Sequence, residues 1–237
     1  MAWVERWPTP EALAAESPGE AVRAWGRLGY PRRALRLHAA ASSIVQHHGG
    51  QVPESLSELL ALPGVGEYTA AAVSSFAFAG RQVVLDTNVR RVFARVVSGQ
   101  QFPAPSLTVA ERELATALLP REDAHRWAAA TMELGALVCT AAAPRCNECP
   151  VGEQCQWRAS GYPAYAGARR TTQSWEGTDR QCRGRLLAIL REASGPVDKA
   201  QLDLVWPEPI QRERALDGLV ADGLVEPVGI DSFGLPR

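Results

Sequence analysis

Lysine is nearly missing from this sequence: of its 25 basic residues, all but Lys199 are arginine. Amine nucleophiles are thereby confined to Lys199 and the terminal amine, since a guanidinium stays protonated and cannot serve as one. Long apolar runs are missing too. No stretch reaches eighteen residues, and the opening Met1-Ala-Trp-Val-Glu-Arg-Trp-Pro8 lacks the sections of a signal peptide, so a soluble, cytoplasmic protein is expected. An excess of either charge is also lacking: 26 acidic residues face 25 basic ones, for a net charge of -1. Any nucleic-acid site must then be a local patch. Cysteine is scarce, but four of the five crowd between Cys139 and Cys155 while Cys182 stands alone. In a cytosolic chain such crowding favours metal ligation over disulfides. What is abundant is apolar content, at 46%, enough over 237 residues to bury a sizeable core.

No sustained apolar–polar alternation interrupts the first three-quarters of the chain, which predicts a mainly α fold. Ser17-Pro18-Gly19-Glu20 and Ser55-Leu56-Ser57-Glu58 read as capping boxes, each opening a helix. A longer helix is expected over 32–48, with Leu35, Ile44 and Val45 inward, Arg32, Arg33 and Arg36 outward, and Gly49-Gly50 as its stop. Further helices are expected over about 88–97, 107–118 and 123–138. The Gly, Pro, Ser, Thr and Tyr content after Trp157 predicts a surface linker over 159–181. The division expected is a helical barrel-type domain over 1–120, a cysteine-loop region over 121–158, that linker, and a small module over 182–237. Three short helices and a strand near Leu224–Val228 make the last winged-helix-like.

Three constellations carry chemistry. Leu62-Pro63-Gly64-Val65-Gly66 places two glycines before a helix whose amino end offers unpaired N–H groups, a geometry suited to a DNA phosphate. Asp86 sits where a helix begins, as an N-cap would. Cys139-x6-Cys146-x2-Cys149-x5-Cys155 puts four thiols in one loop, and spacing alone leaves zinc and an iron–sulfur centre both open. Near these, Arg90, Arg91 and Arg95 follow Asp86 on one helix, while Arg145 and Arg158 bracket the cysteine loop; all are expected phosphate contacts.

Taken together, Leu62-Pro-Gly-Val-Gly-Glu-Tyr-Thr-Ala-Ala and Val84-Leu85-Asp86-Thr87-Asn88-Val89-Arg90-Arg91-Val92 resemble the signature of the helix-hairpin-helix DNA glycosylases with an iron–sulfur loop. The branch most similar is that of the adenine glycosylases acting opposite oxidised guanine. The resemblance covers about Arg6 to Trp157. It implies a [4Fe-4S] cluster on Cys139, Cys146, Cys149 and Cys155, and Asp86 as the carboxylate that stabilises the sugar cation. It implies Pro63, Gly64, Val65, Gly66, Asn88, Arg90 and Arg91 as DNA contacts. The partner implied is double-stranded DNA carrying A:8-oxoguanine or A:G mispairs, bound by a monomer. Tyr68 stands where glycosylase-lyases of the endonuclease III type have a lysine, which implies a single-function glycosylase. The family's first helices, with a glutamate that protonates adenine and a Gln-Gln-Thr stretch, find no match, so the chain reads as N-terminally truncated. The usual Nudix-like C-terminal domain finds none either. A non-catalytic mispair-binding protein is the alternative, and an endonuclease III-like lyase a remoter one.

Overall fold

The computed structural model describes residues 2–167 and 175–237, and the described chain is built from short helices. These are α1 (Ala2–Arg6), α2 (Pro10–Ala14), α3 (Pro18–Trp25), α4 (Arg32–His48), α5 (Leu56–Ala61), α6 (Glu67–Phe78), α7 (Thr87–Val96), α8 (Val109–Leu118) and α9 (Ala124–Glu133). α9 runs on into a π turn, Leu134–Val138, that delivers the chain to Cys139. After α10 (Gln156–Ala159) come α11 (Asp179–Glu192), β1 (Val197–Asp198), α12 (Lys199–Asp203), α13 (Pro209–Ala221), β2 (Glu226–Val228) and β3 (Ser232–Gly234). The strands form one antiparallel sheet in the order β1-β3-β2, in which Val197 pairs with Phe233 and Val228 with Ser232.

Local signals set most of these boundaries. Thr108 and Glu111 close a reciprocal capping box on α8, and Gly49, at φ 58°, ends α4 in the left-handed conformation. At Ser17 the expected box does not form. Its Glu20 is taken by Arg6 at 2.7 Å and by Arg23 at 2.9 Å, and the Ser17 side chain makes no cap bond, so Pro18 at the first turn opens α3 unaided. The linker expected over 159–181 is shorter at its far end, because the Thr178 hydroxyl caps α11 there. Near its start, Tyr162 lies edge-on against the buried Trp157 at 5.0 Å. Residues 168–174 of that linker lie outside the described residues.

The chain divides into two compact units, and the division differs from the sequence-based one. In the first, residues 2–53, 62–64 and 175–237 share a core. Leu13, Val22 and Ala34 pack in one cluster with Cys182, Leu186, Leu190, Leu202 and Leu219, so the C-terminal helices and sheet are no separate module. Two arginines explain part of the pairing. Arg23 of α3 donates to the carbonyls of Arg191 and, at 2.7 Å, Ala193 at the end of α11; Arg191 donates to Val22 at 2.9 Å and to Gly26 at the end of α3. Each helix thus satisfies the orphan carbonyls of the other, where a cation is also favoured by the helix dipole. In the second unit, residues 54–61 and 65–167, α7 is the central element. Its Val89, Val92 and Phe93 pack with Ala115 of α8, and it borders the π turn after α9.

Candidate functional site

The turn between α5 and α6 needs a glycine at position 64. Gly64 has φ +74°, and a β-carbon there would come within 2.5 Å of the Arg36 side chain. Gly66 is the N-cap of α6 and has no side chain to cap the first-turn amides. Pro63, Gly64 and Gly66 are exposed and Val65 half-buried, so the helix start offers its N–H groups outward. Glu67, next in sequence, is occupied by an exposed ion pair with Arg112 at 2.6 Å.

Asp86 caps α7 with both oxygens. Oδ1 accepts from the backbone N–H of Asn88 at 2.8 Å and of Val89 at 2.7 Å, while Oδ2 accepts from Asn88 Nδ2 at 2.9 Å. The carboxylate is therefore aimed and half-buried. Tyr68, on the first turn of α6, lies in its field: burial first, and the Asp86 charge second, push the Tyr68 phenol above its ordinary value. Tyr68 is 45% exposed and stays a protonated hydroxyl at neutral pH.

The arginines of α7 correct an expectation. Arg90 is spent on Glu111 at 2.9 Å and on the carbonyls of Ala104 and Ser106. Arg91 is buried, donating to Asn88 Oδ1 at 2.9 Å, to Gly135 at 2.6 Å and to Cys139 at 2.7 Å. Arg95 is buried as well, with the carbonyls of Gln101, Thr140 and Ala141 and the Cys139 thiol at 3.4 Å as partners, and Trp157 beneath it. Arg91 and Arg95 lie inside the protein and Arg90 is half-buried, and all three are engaged by protein groups. Asn88 likewise faces inward, between Asp86 and Arg91. What the pattern of sequence concealed is a chain of hydrogen bonds from Asp86 through Asn88 and Arg91 to the carbonyl of the first loop cysteine. An arginine on a helix ordinarily reads as solvated, so the spacing gave no signal.

Cys139, Cys146, Cys149 and Cys155 line one cavity, with Arg95, Gly152, Trp157 and Arg158. Burial, then the neighbouring thiols of Cys139, Cys155 and Cys146, raise Cys149 above the ordinary thiol value. Gly152 lets the loop close on itself, since a β-carbon there would meet the carbonyl oxygens of Cys149 and Cys146 at 3.2 and 3.3 Å. Arg145 holds the loop's start to the carbonyl of Leu137 at 2.7 Å, and Arg158 reaches the carbonyl of Cys146 at 3.3 Å. Among the described residues no three metal-ligating side chains are drawn together as a single bound ion would need. The donor set itself, four sulfurs around one cavity, fits an iron–sulfur cluster.

Comparison with known proteins agrees with this layout. The helix-hairpin-helix motif family matches residues 47–76. An adenine DNA glycosylase of Mycolicibacterium smegmatis is 52% identical over 99% of this chain and 79% of its own length. The corresponding Mycobacterium tuberculosis protein is 50% identical over 99% of this chain and 77% of its length. The human adenine DNA glycosylase is 40% identical over 66% of this chain and 29% of its own length. Among solved structures, a thermostable thymine-DNA glycosylase is similar at TM-score 0.59 and 26% identity, over 67% of this chain and 74% of that one. A non-covalent endonuclease III–DNA complex is similar in fold at TM-score 0.59 and 24% identity, over 68% of this chain and 75% of that one. Among the described residues no helix is long and apolar enough to cross a membrane.

Proposed function

The chain belongs to the adenine DNA glycosylase family, and from that premise we propose that it removes adenine mispaired with 8-oxoguanine or guanine by hydrolysing the N-glycosidic bond. The observation that carries the reading is Asp86, fixed by three hydrogen bonds at the head of α7 with the Tyr68 hydroxyl in its field. The uncapped amides after Gly66 grip a phosphate, and the target adenosine is turned out of the stack. As the bond between C1′ and N9 breaks, its electron pair leaves with the base and positive charge grows on the sugar. Asp86 stabilises that charge, and water adds at C1′, giving up a proton to solvent while the departed adenine gains one, so that the step is a net hydrolysis. Protonating the departing adenine is a separate general-acid task, which neither Asp86 nor Tyr68 takes.

Strand cleavage by a Schiff base does not follow, because the sugar-side position is Tyr68 and Lys199 is engaged by Asp203 and Glu213 in the other compact unit. Incubation with an A:8-oxoguanine duplex should release adenine slowly, because general-acid catalysis typically contributes roughly 10²–10⁴-fold and neither Asp86 nor Tyr68 supplies it, and should leave the strand intact until alkali is added. A borohydride-trapped adduct that survives Lys199→Ala and a blocked terminal amine would contradict the single-function reading.

Cys139, Cys146, Cys149 and Cys155 would hold a [4Fe-4S] cluster. Its contribution is to fold the loop and fix its register, as the hydrolysis needs no redox step. Through Arg91 and Arg95 the loop's first cysteine is tied to α7, so the cluster's residues also set where Asp86 points. The purified protein should be yellow-brown. Cys149→Ser should lose iron and Cys182→Ser, buried among leucines of the other unit, should keep it. Metal analysis that finds one zinc and no iron overturns the assignment.

A further inference from the structure

The ten residues from Arg27 to Arg36 contain four arginines and no acid, a local surplus in a chain whose net charge is -1. Arg36 lays its aliphatic stem over Gly64 of the hairpin turn. Arg33, three residues earlier on α4, shares that side of the helix. Its guanidinium lies 5.8 Å from the Tyr30 ring, and the guanidinium of Arg180 lies 5.8 Å from the same ring. Arg180 in turn stands 5.4 Å from the ring of Trp175. The result is a ladder of alternating cations and rings from Arg33 to Trp175, with Arg36 beside its start, wholly within the first compact unit. Tyr30 is 71% and Trp175 52% exposed. Among the described residues no carboxylate pairs with Arg33, Arg36 or Arg180, whereas the neighbouring Arg32 and Arg183 share Asp222, and Arg214 is held by Asp179.

We propose that Arg180 and Trp175 are DNA contacts: within the first compact unit Arg36, Arg33 and Arg180 form one phosphate-binding track, and Arg180 holds a phosphate of duplex DNA while Trp175 braces its guanidinium. Two physical reasons favour duplex DNA as the occupant. A planar guanidinium freed from carboxylates and stacked on a ring keeps its fork of donors for phosphate. Moreover, the track begins at a glycine turn that is itself shaped for a phosphate. The inference rests on the reading of this chain as a DNA-binding glycosylase.

The test is equilibrium binding of the full chain to an undamaged duplex between about 50 and about 200 mM salt, where each lost phosphate contact lowers the slope of log K against log salt by about 1. Arg180→Ala should lower the slope by about 1 and Arg36→Ala/Arg180→Ala by about 2. Arg180→Lys should restore it. Trp175→Ala should weaken binding. Arg237→Ala, an equal change of net charge at a residue paired with Glu226, should change nothing. An unaltered slope in Arg180→Ala, or a Trp175→Ala protein that binds as tightly as wild type, overturns the proposal. Adenine excision by the same wild-type preparation separates the two readings. Salt-dependent binding with a slow excision that Asp86→Asn does not lower leaves this surface standing and sinks the catalytic assignment, whereas a wild-type chain that does not bind duplex overturns both.

Discussion

Asp86→Asn should abolish adenine excision while leaving the fold and DNA affinity nearly as they are. The substitution is close to isosteric, and asparagine is as good an N-cap as aspartate, so Oδ1 can go on accepting from the amides of Asn88 and Val89. What changes is the other atom. The new Nδ2 replaces Oδ2 opposite Asn88 Nδ2, two donors face one another, and Asn88 cannot turn round because its own oxygen is held by Arg91. That conflict costs about 1 kcal/mol, the worth of one ordinary hydrogen bond. The charge is the larger loss. Removing a preorganised electrostatic partner from a developing charge costs roughly 10²–10³-fold in rate, and here a full negative charge beside a sugar cation is removed. Single-turnover excision from an A:8-oxoguanine duplex, with binding and thermal melting alongside, checks this. Excision by Asp86→Asn within about tenfold of wild type would place the essential carboxylate elsewhere.

The parts of this protein legible in its sequence are those written in short-range signals. The hairpin announces itself because a left-handed residue is needed at Gly64 and an uncapped helix start follows Gly66. The aspartate is visible because an N-cap stands one residue before an apolar, helical repeat. The cysteine loop shows in spacing alone, while its choice of metal rested on resemblance. Illegible were the features decided by residues far apart. Arg23 and Arg191 exchange partners across 168 residues of chain, which is why the C-terminal helices read as a module of their own and yet pack with α3. Arg90, Arg91 and Arg95 carry charge, so they were read as facing solvent and phosphate. In the structure carbonyls at the loop after the π turn, and the acid of Glu111, satisfy them indoors. Ser17 and Glu20 fit a capping pattern, but a stronger, charged partner from α1 takes the glutamate. Gly29-Tyr30-Pro31 reads as a helix breaker, but the exposure of Leu28 and Tyr30 on that loop, and the left-handed φ of 47° at Tyr30, do not follow from it.

Gly135→Ala should lower excision far more than a single methyl group suggests. Gly135 is buried in the π turn after α9, where the absence of a side chain lets that turn rest directly on the first turn of α7. A β-carbon added there would come within 2.8 Å of Asn88 Cβ and 2.9 Å of its backbone carbon and oxygen. Backbone cannot swing aside as a long side chain can, so either α7 or the π turn must move. Both are already tied: the carbonyl of Gly135 takes Arg91, Arg91 takes Asn88, and Asn88 takes Asp86. Overpacking of this kind costs about 1–3 kcal/mol of stability. A displacement of about 1 Å at a carboxylate with the role proposed for Asp86 costs on the order of 10²-fold in rate. The expected result is a folded, iron-containing protein that binds duplex and excises adenine about 10²-fold more slowly. Gly184→Ala provides the contrast. It sits in α11 with nothing within 4 Å of the added carbon, so it should leave the rate unchanged and, through helix propensity, raise stability by about 0.5–1 kcal/mol. If Gly135→Ala excises at the wild-type rate while its melting midpoint falls, the π turn yields without moving Asp86, and the tie between the cysteine loop and the carboxylate is slack.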